Sequence, residues 1–273
     1  MKKIRLFLFF SISVFILTIT GCLNGVSKDT SGIIEENPAV RFTPSLAIKI
    51  SNKYGDTAEL ELCEIVMSKT SDMRSPYKRF RLYKNGNYEM SGFAGGEVFY
   101  IGAFVDADKN LEVTYGTDPI GGAYSTTYDS AARSRVEISY DRPTVVELKL
   151  LRPITGRTPA HNTLGTGTKP FFSWERPAGI TSFQISVYDS PSFIEYTKYQ
   201  PEEVDLINEN ALLYWRALSY SNSMTYADIT YNKDVETFKA IPLAADSKHR
   251  WSLLGFDAHN EVWAYAPGTS FLP

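Results

Sequence analysis

The sequence has few residues of the types that most often carry chemistry in proteins. Its 273 residues include two cysteines and three histidines. The histidines, His161, His249 and His259, are scattered, and none has a partner at the H-x-x-x-H spacing that puts two imidazoles on one helix face. A G-x-S-x-G nucleophile motif is also missing. These absences argue against a zinc centre and against a hydrolase-type serine nucleophile.

Long apolar runs are lacking everywhere except at the N-terminus. There, Lys2, Lys3 and Arg5 precede the uncharged stretch from Leu6 to Ile19. That stretch is shorter than the roughly 20 residues that a membrane-spanning helix needs, and it has the length of a signal-peptide core. We therefore interpret residues 1–21 as an export signal.

The end of this signal, Ile19-Thr20-Gly21-Cys22, resembles a bacterial lipobox. The resemblance implies cleavage before Cys22, diacylglyceration of its thiol and acylation of the new amino terminus. Two or three acyl chains, each contributing about 0.8 kcal/mol per buried CH₂, would hold the chain durably on a membrane. Leu23 replaces the aspartate associated with inner-membrane retention, so a Gram-negative cell would carry the protein on its outer membrane. The alternative is an ordinary signal peptide with an unrelated cysteine.

An excess of basic residues is also missing. Removal of residues 1–21 reduces Lys+Arg from 28 to 25 against 31 Asp+Glu, which leaves a formal charge of −6. Nucleic acid is thus a poor candidate partner, because its binding depends on neutralising phosphates. With Cys22 lipidated, Cys63 would be the one remaining thiol, so no intramolecular disulfide could form. Cys63 lies in the alternating stretch "TAELELCEIV", which favours a buried strand position over a reactive one.

The chain does contain the sequence pattern of an all-β protein. Residues 22–42 are polar and aperiodic, as in a flexible tether, and beyond them short β-branched and aromatic runs alternate with turn residues. We predict two β-sandwich domains in tandem, spanning 43–152 and 170–273, with a Pro- and Gly-rich linker at 153–169.

Three local structures are predicted within these domains. The alternating residues on either side of "NKYGD" predict a hairpin, in which Ile48 and Ile50 precede the turn and Leu60 and Leu62 follow it. The run "EVFYIGAFVD" is apolar on both parities, which predicts a central strand covered on both faces. Proline and acidic residues at the start of 201–210 predict one short helix.

Residues 43–151 resemble the prealbumin-like or carboxypeptidase-regulatory-like sandwich of bacterial surface proteins. Its pattern of strands, turns and an acidic loop is matched at several positions, although Leu111 and Asp118 replace a glycine and a glutamate of the pattern. The matching residues are Tyr88, Gly92, Gly95, Phe104, Asp106, Asp108, Asn110 and Pro119.

The second half, with "PFFSWER" and "HRWSLLGFDAHNE", is similar to fibronectin type III domains. The similarity implies inward-facing Phe172, Trp174, Trp251, Leu253 and Gly255, and it implies no catalytic set. His249 stands where that family usually has its corner tyrosine.

The acidic loop is the candidate metal site. Asp106, Asp108 and Asn110 occupy positions 1, 3 and 5 of a calcium-type loop, with Asp118 as a further oxygen ligand. However, Leu111 occupies the position where such loops have glycine, and Thr117 the position of the bidentate glutamate. The alternative, which the pattern favours, is a strand-end loop whose Asp and Asn side chains bond their own backbone. No other cofactor is predicted.

Residues 188–231 are unusually rich in aromatic side chains, which suit stacking on sugars or burial at an interface. The alternative is that tyrosine simply serves as a strand residue. Acidic pairs such as Glu202/Glu203 and Glu59/Glu61 are better explained as solvated faces than as glycosidase acids. No residue is assigned to catalysis or to ligand binding.

The sequence thus predicts a lipid-anchored bacterial envelope protein that binds a protein or glycan without catalysis. A structural subunit or assembly factor of an envelope complex is the alternative, and an envelope hydrolase is the third hypothesis.

Overall fold

The computed structural model describes residues 43–71, 73, 76–81, 86–125, 135–189, 213–226 and 241–273. The predicted signal peptide, Cys22, the tether and the helix predicted at 201–210 lie outside the described residues. No helix within the described ranges is long and apolar enough to span a bilayer.

Among the residues that the structure describes, the first sandwich has eight strands in two sheets. They are β1 (Ser45–Ser51), β2 (Cys63–Ser68), β3 (Pro76–Arg81), β4 (Asn87–Ser91), β5 (Val98–Val105), β6 (Ile120–Gly122), β7 (Arg135–Glu137) and β8 (Thr144–Lys149). One sheet has the order β4-β1-β8, with β1 antiparallel to β4 and parallel to β8. The other has the order β3-β2-β5-β6, and β7 also pairs with β5.

Alternation along the strands explains the core between these sheets. Leu46, Ile48 and Ile50 of β1 point inward and are at most 6% exposed, whereas Lys49 between them faces solvent. They pack in one cluster with residues of β2 and β5, among them Ile65 and Ile101. The prediction that β5 is a central strand is confirmed, because β2 pairs along it on one side and β6 and β7 on the other.

The predicted hairpin after Ile50 is wrong. Leu60 and Leu62 belong to a 3₁₀-helix, Thr57–Leu62, and β1 does not pair with β2. Asp56 caps this helix, since its side chain accepts a hydrogen bond from the backbone N–H of Ala58 at 3.1 Å. Leu60 and Leu62 still pack against the core, so their apolar character agrees with their burial. The backbone that directs them there is a 3₁₀-helix and not the predicted strand.

The second sandwich has seven strands within the described ranges, which leave out residues 190–212 and 227–240. They are β9 (Arg152–Pro153), β10 (Phe171–Ser173), β11 (Ser182–Asp189), β12 (Leu213–Ser219), β13 (Ser223–Thr225), β14 (His249–Phe256) and β15 (Val262–Phe271). The larger sheet has the order β12-β11-β14-β15-β9, and β10 pairs with β13 in a two-stranded sheet. A second 3₁₀-helix, Ala123–Ser125, follows β6 in the first sandwich.

The residues expected to face inward in the second sandwich are buried, Gly255 included. Phe172, Trp174, Trp251 and Leu253 are at most 2% exposed and belong to one cluster. Phe172 and Trp251 have ring centroids 4.9 Å apart, which joins the smaller sheet to the larger one. The prediction of an all-β sandwich fold is confirmed.

The chain passes from one sandwich to the other within a single peptide bond. Leu151 forms a bridge with Ile120 of β6, and the next residue, Arg152, pairs with Ala264 of β15. The following stretch, 153–169, stays bound along the second sandwich through bridges of Thr158 and Thr163. Together the two sandwiches make up one compact unit, Phe42–Pro273.

A third apolar cluster lies where the sandwiches meet. The outward face of the β2/β5 sheet contributes Val66 and Phe104, and the second sandwich contributes the fully buried Tyr265. Phe104 is therefore buried on the face of β5 opposite to the first core. This contact is the reason why β5 is apolar on both parities.

Candidate functional site

The acidic loop after β5 closes on itself through bonds to its own backbone. Asp106 is 3% exposed, and its Oδ1 accepts a hydrogen bond from the backbone N–H of Asn110 at 3.0 Å. Its Oδ2 accepts another from the backbone N–H of Leu111 at 3.2 Å. Asp106 thus holds the turn at the tip of the loop, as aspartates often do in turns.

Asp108 and Asn110 extend this network on the exposed side of the loop. Asp108 Oδ2 accepts hydrogen bonds from Asn110 Nδ2 at 3.0 Å and from Thr114 Oγ1 at 2.8 Å. Asn110 Oδ1 accepts one from the backbone N–H of Glu112 at 2.7 Å. Side-chain oxygens that could bind a cation are therefore engaged with donors of the loop itself.

Asp118 closes the base of the loop. Its carboxylate is fully buried and accepts hydrogen bonds from the backbone N–H groups of Thr114 at 2.7 Å and Ala107 at 3.0 Å. Burial raises the pKa of Asp118 to about 6, the two N–H donors act to lower it, and the nearby Asp108 and Asp106 carboxylates add to the rise. A carboxyl group with these surroundings titrates within the near-physiological range.

The structure brings the four predicted ligands together in one loop, but their oxygens point at N–H and O–H donors. Among the residues that the structure describes, no group of three or more His, Cys, Asp or Glu side chains is arranged to hold a metal ion. Calcium is coordinated by six to eight oxygens, which this donor-filled loop does not present without rearrangement. Calcium binding at this loop stays a hypothesis, and these hydrogen bonds favour the alternative of a loop bonded to its own backbone.

The tip of the loop has an unusual backbone. Leu111 has φ 65° and Lys109 has φ 58°, in the left-handed region that favours glycine. Leu111 replaces the glycine of the family pattern, and its side chain is 56% exposed. Its carbonyl accepts a hydrogen bond from Arg79 Nη1 at 2.5 Å, so the loop is held from β3 as well.

Beyond its own bonds, the acidic loop contacts the second sandwich. The Tyr265 hydroxyl of β15 donates to the backbone carbonyl of Asp118 at 2.8 Å and accepts from the backbone N–H of Gly116 at 3.0 Å. Tyr265 is fully buried, and burial raises the pKa of its phenol well above the usual range. The base of the predicted metal loop is therefore also part of the contact between the two sandwiches.

A second contact joins the turn after β1 to the turn after β14. Lys53 Nζ lies 2.8 Å from Asp257 Oδ2, and the Tyr54 hydroxyl donates to the same oxygen at 3.0 Å. Asp257 Oδ1 accepts from the backbone N–H groups of His259 and Glu261 at 2.8 and 3.0 Å. Although burial acts to raise it, these four hydrogen bonds hold the pKa of Asp257 well below its usual range.

Trp263 completes this contact. The Nζ atoms of Lys53 and Lys149 lie 5.4 and 4.7 Å from the centroid of the Trp263 ring. The Tyr54 ring packs edge-on against the same ring, with 5.6 Å between the ring centroids. Trp263 is 4% exposed, and its indole N–H donates to Glu261 Oε2 at 3.1 Å. Two lysines of the first sandwich thus sit over one tryptophan of the second.

These contacts were missed at the sequence level. "NKYGD" has the pattern of an ordinary hairpin turn, and the local pattern around Asp257 gives that residue no special role. The one available indication was Tyr265 in "VWAYAPG", a large ring between two alanines on a strand, which suggests close approach of another surface.

Cys63 and the histidines have structural surroundings. Cys63 lies in β2 and is fully buried, as predicted, and burial raises the pKa of its thiol to about 12. His249 is fully buried between Tyr214 and Phe271, with ring centroids 4.7 and 5.8 Å away. Burial lowers the pKa of His249, so the neutral imidazole is favoured. The corner that has tyrosine in the resembled family is therefore filled by a neutral ring.

The aromatic stretch 188–231 divides into core and surface residues. Trp215 and Tyr226 belong to the second core, and Tyr214 packs against it while half-buried. Tyr220, in contrast, is 62% exposed. The other predicted members, Tyr196, Tyr199 and Tyr231, lie outside the described residues. The described part of this stretch thus offers one exposed ring and no continuous stacking surface.

Comparison with known proteins leaves the family open. No known protein family and no curated protein matches the chain. Among solved structures, similarity is found to a DUF3823 family protein from Bacteroides ovatus, with 10% identity and a TM-score of 0.24, covering 85% of this chain and 99% of that one. The FN1–FN3 domains of chicken CNTN1 show 7% identity and a TM-score of 0.24, covering 77% of this chain and 55% of theirs.

An α-L-rhamnosidase from Dictyoglumus thermophilum is also similar, with 16% identity and a TM-score of 0.26 over 41% of this chain. The matched region is 11% of that enzyme, and the match to the CNTN1 fragment covers about half of that fragment. Likenesses at this level identify no relative of this chain. Its fold is defined by its own strand pairing and core packing.

Proposed function

We propose that this chain is a lipid-anchored bacterial envelope protein whose two sandwiches act as a non-enzymatic binding or adhesion module. The observation that carries the proposal is Ile19-Thr20-Gly21-Cys22 at the end of a basic-then-apolar N-terminus. Cys22 would carry the lipid, and residues 23–42 would connect it to the first strand of the folded body.

The body suits the presentation of a surface. Its two sandwiches are linked by one peptide bond between bridged residues, Leu151 and Arg152, and by two buried polar contacts at Tyr265 and Asp257. Such a joint keeps the strand ends and loops of both sandwiches in one fixed arrangement. A preorganised surface binds a protein or glycan with less loss of conformational entropy than a jointed one.

The same joint supports the alternative, a structural subunit or assembly factor of an envelope complex, because two firmly joined sandwiches would hold partner proteins at a defined spacing. Arrays of glycans and envelope or matrix proteins distinguish the two. Binding to an isolated array ligand supports the module, whereas a stoichiometric envelope complex that forms without any such ligand supports the structural role.

The lipid anchor has its own test. The parent protein in its host should incorporate labelled palmitate and partition into the detergent phase, and Cys22→Ala should do neither. A Cys63→Ala variant is the matched control and should behave like the parent, because Cys63 is buried in β2. Palmitate labelling that persists in Cys22→Ala would contradict the proposed anchor.

A further inference from the structure

Two tyrosines at one end of the first sandwich are unusually exposed. Tyr140, between β7 and β8, is 72% exposed, and Tyr77 of β3 is 56% exposed. Tyrosine is enriched at interfaces where the ring meets an apolar phase and its hydroxyl stays in water.

Tyr140 is held in place by the turn beneath it. Its ring lies against Gly95 and Gly96, where any Cβ would collide with the ring or its hydroxyl. Glu97 fixes this turn, since its Oε2 accepts a hydrogen bond from the backbone N–H of Ala94 at 3.0 Å. The backbone N–H of Gly96 also donates to the Ile138 carbonyl at 2.7 Å. The exposed ring is thus preorganised by its glycine support.

Tyr77 is connected to this turn through Lys69. The Lys69 Nζ lies 5.1 Å from the Tyr77 ring centroid and 3.7 Å from that of Phe99, and it pairs with Glu97 Oε1 at 3.0 Å. Phe93 packs edge-on against Phe99 at 5.5 Å. We call the group of Tyr77, Phe93, Tyr140, Lys69 and Glu97 the tyrosine end. It carries one basic and one acidic group, so it is aromatic and nearly neutral.

The tyrosine end is also where the chain arrives from the N-terminus. Ser45, the first residue of β1, pairs with Ser91, two residues before Phe93. Leu46 pairs with Thr144, four residues after Tyr140. The acidic loop and the contact with the second sandwich lie at the opposite end of β5, beyond Val105. The tyrosine end therefore faces away from the second sandwich and lies at the end of β1 where the described residues begin.

The tether length keeps this end close to the anchor. Twenty residues, 23–42, separate Cys22 from Thr43. A flexible chain of that length has an r.m.s. end-to-end distance of about 25 Å. An eight-residue strand such as β5 is about 26 Å long. The tyrosine end can therefore reach the membrane surface at high effective concentration, whereas the second sandwich lies at least one sandwich length further away.

We propose that the tyrosine end docks in the headgroup region of the phospholipid bilayer that carries the lipid on Cys22. This inference rests on the lipid anchor of the proposed function. Tyrosine prefers the membrane–water interface because its ring is apolar and its hydroxyl is hydrated. Since Lys69 is paired with Glu97, docking depends on ring burial rather than on attraction to anionic lipid, and it is insensitive to salt.

The test uses the lipidated full-length protein in phosphatidylethanolamine/phosphatidylglycerol vesicles. A nitroxide is attached at Arg142→Cys, two residues from Tyr140, and in a second sample at Leu164→Cys. Leu164 is 69% exposed and follows Thr163, which pairs with Phe271 at the end of β15 far from Tyr265. Cys22 would be acylated and Cys63 is buried, so neither takes the label.

Accessibility of the nitroxide to a water-soluble nickel chelate is then measured. We expect it to be several-fold lower at position 142 than at position 164, in both low and high salt. Tyr77→Ser with Tyr140→Ser should raise it at position 142 to the value at position 164. Tyr220→Ser, which removes an exposed tyrosine of the second sandwich, should change nothing. Tyr77→Ser alone, on an exposed edge strand, should give an intermediate value and guards against misfolding of the double variant.

The outcomes separate this inference from the anchor. Protein that does not stay with the vesicles at all contradicts the lipid anchor. Protein that stays with them but gives equal nickel accessibility at both positions overturns docking and leaves the anchor standing. Protection at position 142 that appears only when the vesicles contain lipopolysaccharide also overturns the proposal, because the occupant is then a glycan.

Discussion

The hydroxyl of Tyr265 donates a 2.8 Å hydrogen bond to the backbone carbonyl of Asp118, 147 residues earlier in the chain. The bond joins the two sandwiches at a place fully shielded from water. It also gives a role to the loop that looked most like a metal site, because the base of that loop is one side of the joint.

Removal of the Tyr265 hydroxyl should weaken the joint. Tyr265→Phe leaves the buried carbonyl of Asp118 and the partly buried N–H of Gly116 without this partner, so we expect a loss of about 1–3 kcal/mol in the free energy of unfolding. Urea denaturation followed by tryptophan fluorescence measures it. Tyr220→Phe, on an exposed ring, is the control and should be neutral. An unchanged midpoint for Tyr265→Phe would show that the bond contributes nothing to stability.

The raised pKa of Asp118 predicts a specific pH dependence. In the folded protein this pKa is about 6, above the 3.8 that is usual for an aspartate, so the folded state binds more protons between these values than the unfolded state. The contribution of Asp118 to stability is therefore present below pH 4 and is lost as the pH rises through 6. As the pH rises from 4 to 8, the free energy of unfolding of the parent should fall relative to that of Asp118→Asn. A difference independent of pH contradicts the raised pKa.

Calcium should not stabilise the protein. Because the loop oxygens already accept N–H and O–H donors, we expect no change in melting temperature at millimolar calcium. Asp106→Ala should lower the free energy of unfolding by about 1–3 kcal/mol with or without calcium, since two backbone N–H groups lose their acceptor. A calcium-dependent rise in melting temperature that Asp106→Ala abolishes would reinstate the metal site.

Leu111 holds a backbone conformation that costs about 1–2 kcal/mol for a residue with a side chain. Leu111→Gly removes this cost, and the greater flexibility of glycine in the unfolded chain offsets part of the gain. We therefore expect a net increase in stability of up to about 1 kcal/mol, measured by thermal denaturation. Leu164→Gly is the matched control, because Leu164 is a similarly exposed leucine without a positive φ, and it should destabilise.

The buried carboxylate of Asp257 should matter more than an exposed one. Its pKa is held low by Lys53, Tyr54 and two backbone N–H groups, so its contribution to stability is present above the unfolded-state value of about 4 and is lost as the pH falls further. Asp257→Ala should destabilise at neutral pH more than Tyr265→Phe does. Asp141→Ala, on an exposed aspartate, should be close to neutral. Equal effects of the two alanine variants would mean that Asp257 does not hold the joint.

Local patterns predicted the strands well where one face of a strand meets a core. The burial of Cys63 follows from period-two alternation, and the central place of β5 follows from its apolar residues on both parities. The inward positions of Phe172 and Trp251 were implied by the resemblance to fibronectin type III domains. The same pattern misled at Leu60 and Leu62, because a 3₁₀-helix capped by Asp56 can also direct two leucines at one core.

The acidic loop shows where sequence reasoning stopped. Its four polar residues were rightly grouped, and the spacing left calcium and a self-bonded loop as alternatives. Which oxygens are free depends on backbone dihedrals, and those at Lys109 and Leu111 depart from ordinary values. The pKa of Asp118 depends in addition on burial by residues distant in the chain, which spacing does not reveal.

By itself the sequence determined the all-β fold class and the residues that fill the two cores, because alternation and turn chemistry are local. Only the tertiary structure decided how the sandwiches join. Tyr265 bonds Asp118, 147 residues earlier in the chain, and Asp257 pairs with Lys53, 204 residues earlier. Contacts of that range leave no periodic trace, because they depend on where two folded surfaces coincide in space. The tyrosine end was decided in the same way, by strand pairing that puts the start of β1 beside Tyr140.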